Sequence, residues 1–160
     1  MNFELHQQEL AILLNILIAA VLSGLVGLER EASRKPAGFR TYMIIGGASA
    51  LLVSMGEVLV MNFSELPGVA NLIQTDPIRI IEAIIVGISF IGAGTILKSQ
   101  ESSRVRYLTT AASILFVAGI GISVALHHYV LAVGVTVLIL IINYAANLVD
   151  RLITRRNDAR

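Results

Sequence analysis

Residues 27–41, GLEREASRKPAGFRT, place six charged side chains between two apolar runs. The eighteen residues from Ala11 to Leu28 carry no charge, and neither do the sixteen from Thr41 to Gly56. A bilayer core about 30 Å thick requires about 20 apolar residues in a helix. The segment therefore predicts a connection between two membrane-spanning helices, with its charges at the membrane surface.

The composition of the whole chain agrees with a lipid environment. Of its 160 residues, 56% are hydrophobic and only 14% are charged, and the mean hydropathy is +0.79. An ordinary soluble domain has about 25% charged residues. The net charge of +1 is too small to predict a nucleic-acid partner, and the absence of cysteine excludes disulfide and thiolate chemistry. We expect the lipid bilayer to be the solvent for most of this chain.

Apolar runs of spanning length recur along the rest of the sequence. Lipid offers no hydrogen-bond partners to the backbone, so each run is expected to be helical. The first run follows no Lys or Arg and is too long for the apolar part of a signal peptide, so we expect it to be retained. The prediction is an all-α bundle forming a single transmembrane domain over residues 1–160, with helices at 10–28, 41–60, 78–97, 108–126 and 129–149.

The basic residues predict the orientation of these helices. Eleven of the twelve Lys and Arg residues fall in the first connection, the third connection and the C-terminal tail, and Arg79 is the twelfth. Basic loops remain in the cytoplasm. Because five spans place the termini on opposite faces, we expect the N-terminus outside and the C-terminus in the cytoplasm. The acidic residues predicted on the outer face either concentrate cations near the membrane or simply occupy the face from which Lys and Arg are excluded.

Small residues predict where the helices pack, because they let helices approach closely in lipid. We expect the first, third and fourth helices to form a tight core, and the Val/Leu/Ile-rich fifth helix to face lipid or a partner. In residues 87–94, GISFIGAG, the alternative to packing is a kink whose exposed carbonyls ligate an ion. The candidate packing residues are Ala19, Ser23, Gly27, Gly87, Gly92, Gly94 and Gly119.

The first polar cluster surrounds Glu29. This residue continues the small-residue face of the first helix, so we expect it to be more interior than Glu31, with Arg40 as its ionic partner. The cluster is either a salt bridge that anchors the helix end or a cation or proton site. The chain contains no phosphate-binding loop, zinc-protease motif or serine-hydrolase motif, so an enzyme is not predicted.

A second polar cluster opens the third helix. Asp76 followed by proline is a strong helix start. Arg79 and Glu82 follow at three-residue spacings, which place the three charged residues on roughly one helix face. The cluster is either a cap with a structural ion pair or a cation-access site. In the fourth helix, Thr109 and Thr110 are candidates to cap the helix or to line the inner end of a cavity.

Five segments in this order resemble the MgtC/SapB membrane-protein family: GLERE, AGFRT, DPIRI, GISFIGAGTIL and VRYLTTAA, within about residues 24–121. The resemblance implies a bacterial inner-membrane protein with about five spans, linked to magnesium homeostasis. In one branch of the family it implies a regulator of the proton-driven ATP synthase. The resemblance carries onto Gly27, Glu29, Arg30, Glu31, Gly38, Arg40, Thr41, Asp76, Pro77, Arg79, Gly87, Gly92, Gly94, Thr109 and Thr110.

The chain departs from the family pattern at several positions. Tyr107 stands where the family often has glycine, and Glu82 stands where a small neutral residue is more usual. The sequence stops at Arg160, without the soluble cytoplasmic domain that the virulence-type members carry after the fifth helix. We therefore expect the short form of the family.

Three functions fit these observations. The first is a Mg²⁺ transport or sensing protein, acting as a homodimer, with Glu29 and Asp76 as metal ligands at opposite mouths and no cofactor other than Mg²⁺. The second is a regulator that docks on another membrane complex through Val133, Val137 and Ile141 of the fifth helix. The third is a lipid-organising protein without a ligand.

Overall fold

Five α-helices make up the part of the chain that the structure describes. The computed structural model describes the backbone of residues 2–64, 77–97 and 107–158, and the side chains of residues 6–62, 78–96 and 107–148. All five helices are long and apolar enough to cross a membrane, so the prediction of an all-helical chain with five helices of spanning length is confirmed, while the orientation of the termini stays a prediction. The helices are α1 (Asn2–Ala32), α2 (Phe39–Ser64), α3 (Pro77–Leu97), α4 (Leu108–Ala125) and α5 (Tyr129–Asp158).

The first and last helices are longer than their apolar runs. They contain 31 and 30 residues. At about 1.5 Å of rise per residue, each extends roughly 45 Å, whereas the bilayer core is about 30 Å thick. Their polar ends therefore project beyond the hydrocarbon region.

A tight turn at Arg34 joins α1 to α2. This residue has a left-handed backbone, with φ of 53°. The N–H of Lys35 donates to the carbonyl oxygen of Arg30 at 3.0 Å, and the N–H of Arg34 donates to that of Glu31 at 2.9 Å. This pair of bonds satisfies the last carbonyls of a helix. A residue with φ of 60°, His127, ends α4 in the same way.

The core of the bundle lies where α1, α2 and α4 meet. A Cβ atom on Gly46 of α2 would collide with Ser23 of α1, and one on Gly121 of α4 would collide with the carbonyl oxygen of Gly46. All three residues are buried. The three backbones thus approach as closely as small residues allow.

The expectation that α3 belongs to this core is wrong, because α2 occupies that place. Among the described residues, α3 contacts α2 and α4 but not α1. Small residues of α2 face its neighbours: an added Cβ on Gly47 would contact Ile16 of α1 at 3.5 Å, and one on Gly56 would collide with Ile80 of α3. The sequence offers small residues on several helices, and on α2 Gly46, Gly47 and Gly56 all face other helices.

The candidate packing residues of α1 lie in its contact with α2. Ala19 is fully buried. A Cβ on Gly27 would lie 2.8 Å from the Cα atom of Phe39 and 2.9 Å from the Cβ atom of Tyr42. Together with Ser23, these residues form the close face that the four-residue spacing predicts.

The candidate packing residues of α3 and α4 divide into two groups. Gly92 faces Ala111 of α4, with 3.4 Å between an added Cβ and the Ala111 Cβ. Gly87, Gly94 and Gly119 have no atom within 4 Å of an added Cβ. Contrary to expectation, these three glycines make no close helix contact within the described chain, because Gly87 and Gly119 face open clefts between helices and Gly94 is exposed.

Candidate functional site

An ion pair between buried Arg30 and half-buried Glu29 lies near the C-terminal end of α1. The side chain of Arg30 is 2% exposed, and that of Glu29 is 21% exposed. Nε of Arg30 donates to Oε2 of Glu29 at 2.7 Å, and Nη2 donates to Oε1 at 3.1 Å. Two parallel bonds between a guanidinium and a carboxylate form the strongest geometry available to such a pair. Glu29 is the more interior carboxylate of the segment, as its position on the helix face predicts.

The same carboxylate links α1 to α5. Oε1 of Glu29 accepts a hydrogen bond from Ser33 Oγ at 2.9 Å and one from Asn147 Nδ2 at 3.1 Å. Asn147 Nδ2 also donates to Ser33 Oγ at 3.2 Å. The Glu29 carboxylate therefore accepts four hydrogen bonds. Sequence reasoning missed both residues: the four-residue spacing of Ser33 from Glu29 could have indicated the first bond, whereas Asn147 lies 118 residues from Glu29.

A cleft of about 270 Å³ opens beside this network. The three polar atoms that face one another there are separated by 2.9, 3.1 and 3.2 Å. Neighbouring ligands of an octahedral Mg²⁺ are about 3.0 Å apart, since each Mg–O bond measures 2.0–2.1 Å. If the amide of Asn147 turns, its carbonyl oxygen replaces the NH₂ group at the same place. The lining residues are Glu29, Ala32, Ser33, Tyr144, Asn147 and Leu148.

Two buried donors near the ion pair have no hydrogen-bond partner in the described part of the chain. They are Nη1 of Arg30 and the hydroxyl of Tyr42. Ser113 of α4 is the polar neighbour of that hydroxyl; it donates its own hydrogen to the carbonyl oxygen of Thr109 at 2.8 Å, and its oxygen keeps lone pairs that can accept from Tyr42. Burying a donor without an acceptor is costly, so Nη1 of Arg30 adds to the free-energy cost of placing a charge inside the bundle.

The expected pair between Glu29 and Arg40 does not form. Arg40 is exposed at the start of α2, and Glu29 is already bound by Arg30. It is Glu31 that reaches α2: its Oε2 accepts the backbone N–H of Phe39 at 2.9 Å. A carboxylate at a helix start satisfies free N–H groups and interacts favourably with the helix dipole. Sequence reasoning missed this capping role of Glu31.

The charged cluster of α3 is open. Arg79 and Glu82 are both exposed, and neither forms an ion pair with another described residue. The expected structural pair is therefore absent within the helix, although α3 does begin at Pro77. Asp76, and with it the expected cap and metal ligand, lies outside the described residues.

Neither threonine of α4 caps that helix. The cap position is Tyr107, which has a left-handed backbone with φ of 68° and no side-chain cap bond. Thr110 is buried in the core, and Thr109 is exposed. Neither residue lines the cleft beside Glu29.

The glycine-rich segment of α3 forms an uninterrupted helix from Pro77 to Leu97. Two of its hydroxyls bond back to the helix: Ser89 donates to the carbonyl of Ile85, and Thr95 to that of Gly92, each at 2.7 Å. The kink with free carbonyl ligands, the alternative to packing in this segment, is therefore not present. Over the described residues, no group of three His, Asp or Glu side chains could hold a metal ion. A cation near Glu29 would need neutral ligands and water.

Comparisons with known proteins identify one family. The model of the MgtC family matches residues 16–152. An uncharacterized protein of Haemophilus influenzae is 37% identical over 97% of this chain and 63% of its own length. The Escherichia coli protein named "Putative magnesium transporter YhiD" is 32% identical over 81% of this chain and 58% of its own length.

The Salmonella typhimurium protein MgtC is 33% identical over 82% of this chain and 50% of its own length. The chain thus spans half to two thirds of the length of these curated relatives. No solved structure matches it significantly. With a family model that covers α2, α3 and α4 fully and most of α1 and α5, this five-helix chain belongs to the MgtC family.

Proposed function

We propose that this protein serves magnesium homeostasis in the bacterial inner membrane by sensing Mg²⁺ at the cleft beside Glu29. The observation that carries the proposal is the triangle of Glu29 Oε1, Ser33 Oγ and the Asn147 amide, whose edges match the ligand spacing of Mg²⁺. The remaining three positions of the ion would keep water, which the cleft has room to hold. The relatives' link to magnesium supports the choice of ion.

Sensing follows from competition at one carboxylate. Arg30 neutralises the charge of Glu29 through bonds to both carboxylate oxygens, Nε to Oε2 and Nη2 to Oε1. An arriving Mg²⁺ therefore meets one partly neutralised carboxylate, which predicts weak binding. To bind, the ion displaces the bonds by which Ser33 and Asn147 hold Oε1. The link between α1 and α5 then depends on the ion concentration, and that dependence is the signal.

The packing of the core supports sensing over conduction by a single chain. Even a methyl group on Gly46 or Gly121 would collide with a neighbouring helix. A hydrated ion is far larger than a methyl group. At that level, the meeting point of α1, α2 and α4 has no space for an ion to pass between them.

The test uses a gain of charge at the cleft. In Asn147→Asp, a second carboxylate faces Glu29, so the protein loses stability without Mg²⁺ and regains it with Mg²⁺. We expect the melting temperature in detergent to rise with Mg²⁺ more steeply than in the parent protein. Asn62→Asp, at an exposed position of α2, is the matched control and should follow the parent. An Asn147→Asp protein that is insensitive to Mg²⁺ contradicts the site.

A flux measurement separates sensing from transport. The pure protein is reconstituted in liposomes loaded with a Mg²⁺-sensitive dye, and an inward Mg²⁺ gradient is imposed. The proposal expects no flux above empty liposomes from protein that retains its Mg²⁺-dependent melting. Flux that is lost in Glu29→Gln would replace sensing with transport.

A regulatory role is the second candidate. Val133, Val137 and Ile141 of α5 are 48%, 49% and 59% exposed and form an apolar face. This face could receive a helix of another membrane complex. Co-purification with such a complex, lost when Val137 is replaced by Asn, would support this role. Isolation of the protein without any other protein would count against it.

A further inference from the structure

An apolar groove runs between α2 and α3, with a volume of about 740 Å³. Its α3 wall includes Ile80, Ile84 and Ile88 and, beside them, a row of residues spaced by four: Arg79, Ala83, Gly87 and Ile91. We call this the groove row. An added Cβ on Gly87 would have no atom within 4 Å, so the middle of the groove is open.

A second row on α3 runs beside the first. Glu82, Val86 and Phe90 are also spaced by four, and all three are exposed, Phe90 to 77%. We call this the ridge row. Because residues three and four apart are neighbours on a helix surface, the ridge row lies directly alongside the groove row. One helix thus displays a row of projecting side chains next to a row with small residues at its centre.

We propose that a second copy of this chain covers this surface, with the ridge row of each α3 packed into the groove row of the other. In a two-fold dimer whose axis is normal to the membrane, equal residues lie at equal depth. Val86 of one copy then falls between Ala83 and Gly87 of the other, and Phe90 falls between Gly87 and Ile91. This is the packing of i±4 ridges that recurs between helices, with the close approach that small residues permit in lipid.

The charges identify the occupant as a second copy rather than a lipid chain. Glu82 belongs to the ridge row and Arg79 to the groove row, and neither has an ion-pair partner in the described part of one chain. In the dimer, Glu82 of each copy falls between Arg79 and Ala83 of the other. Two symmetric ion pairs form, which relieves the cost of charges on a membrane helix. A lipid tail offers no such complement.

A charge swap tests the pairing. Arg79→Glu and Glu82→Arg each place like charges together across the two-fold axis, and we expect each to weaken dimerisation in liposomes about tenfold or more. The double variant restores opposite charges and should recover most of the loss. The dimer fraction is measured by energy transfer between labelled copies as the protein is diluted in lipid. Failure of the double variant to recover would overturn the pairing.

Cross-linking tests the geometry independently, because the natural chain has no cysteine. Val86→Cys and Gly87→Cys should form disulfide-linked dimers under mild oxidation in membranes. Val130→Cys on α5, whose parent residue is 89% exposed, is the control and should remain monomeric. Cross-linking at Val130 but not at Val86 would overturn the proposal.

A side chain that fills the groove provides the third test. Gly87→Leu should leave the fold of one chain intact, because the site is open, and should reduce dimerisation about tenfold or more by occupying the place of Val86 and Phe90. A protein that is monomeric at every lipid dilution, or a dimer unaffected by Gly87→Leu, contradicts this interface. This inference does not rest on Mg²⁺ sensing: the response of Asn147→Asp to Mg²⁺ is measured separately and can fail without it.

Discussion

The guanidinium of Arg30 is buried in the last turn of α1 and is held by the carboxylate of its neighbour Glu29, with 2.7 Å between Nε and Oε2. Removing one partner of such a pair leaves the other charge buried without compensation. The pair therefore makes the stability of the bundle depend on both residues together.

We expect Glu29→Gln to lower the free energy of unfolding by about 3 kcal/mol, because breaking a buried pair typically costs that much. The double variant Glu29→Gln with Arg30→Met should lose less, since no unpaired charge remains. Unfolding in mixed detergent micelles measures both. Glu9→Gln removes the exposed partner of His6 and should change stability by less than about 0.5 kcal/mol. A double variant that is less stable than the single one would show that the charge on Arg30 is not the source of the cost.

The meeting point of α1, α2 and α4 predicts a contrast among glycines. Gly46→Ala adds a methyl group that collides with Ser23, and we expect a loss of about 1–3 kcal/mol. Gly119→Ala adds the same group to open space, and it should be neutral or slightly stabilising. Thermal unfolding of the two variants side by side is the measurement. Equal losses of stability in the two variants would contradict the close approach of α1, α2 and α4.

The cap of α4 predicts a stabilising substitution. Tyr107 has φ of 68°, a conformation that costs a side chain about 1–2 kcal/mol and costs glycine almost nothing. We expect Tyr107→Gly to raise stability by about 1 kcal/mol. Tyr144→Gly, at an exposed position inside α5, should lower it by a similar amount. A loss of stability in Tyr107→Gly would mean that the contacts of the ring outweigh the backbone strain.

The basic connections predict the orientation in the membrane. In the cysteine-free chain, Lys35→Cys marks the connection between α1 and α2, and His128→Cys marks the turn between α4 and α5. We expect an impermeant thiol reagent to label His128→Cys in intact spheroplasts and Lys35→Cys only after lysis. The reverse pattern would invert the orientation.

The sequence by itself determined the spanning helices, because length and apolarity decide what can cross a bilayer. It also determined the connection around Pro36 and the inward position of Glu29, since a helix face follows from spacing alone. The four-residue spacing of Ala19, Ser23 and Gly27 marked the face by which α1 contacts another helix.

Only the tertiary structure decided which helices share that face. Lipid provides no hydrophobic force between helices, so close packing selects the neighbours, and small residues occur on all five. Tertiary structure also decided the partners of Glu29. Asn147 is 118 residues away in the chain, as is usual for a contact that forms only when two helices dock. The hydrogen bond from Tyr129 to Asn15 at 2.8 Å is a second such link between α5 and α1. A pattern of residue types along one chain carries no record of which distant side chains meet, because that depends on how whole helices fit together.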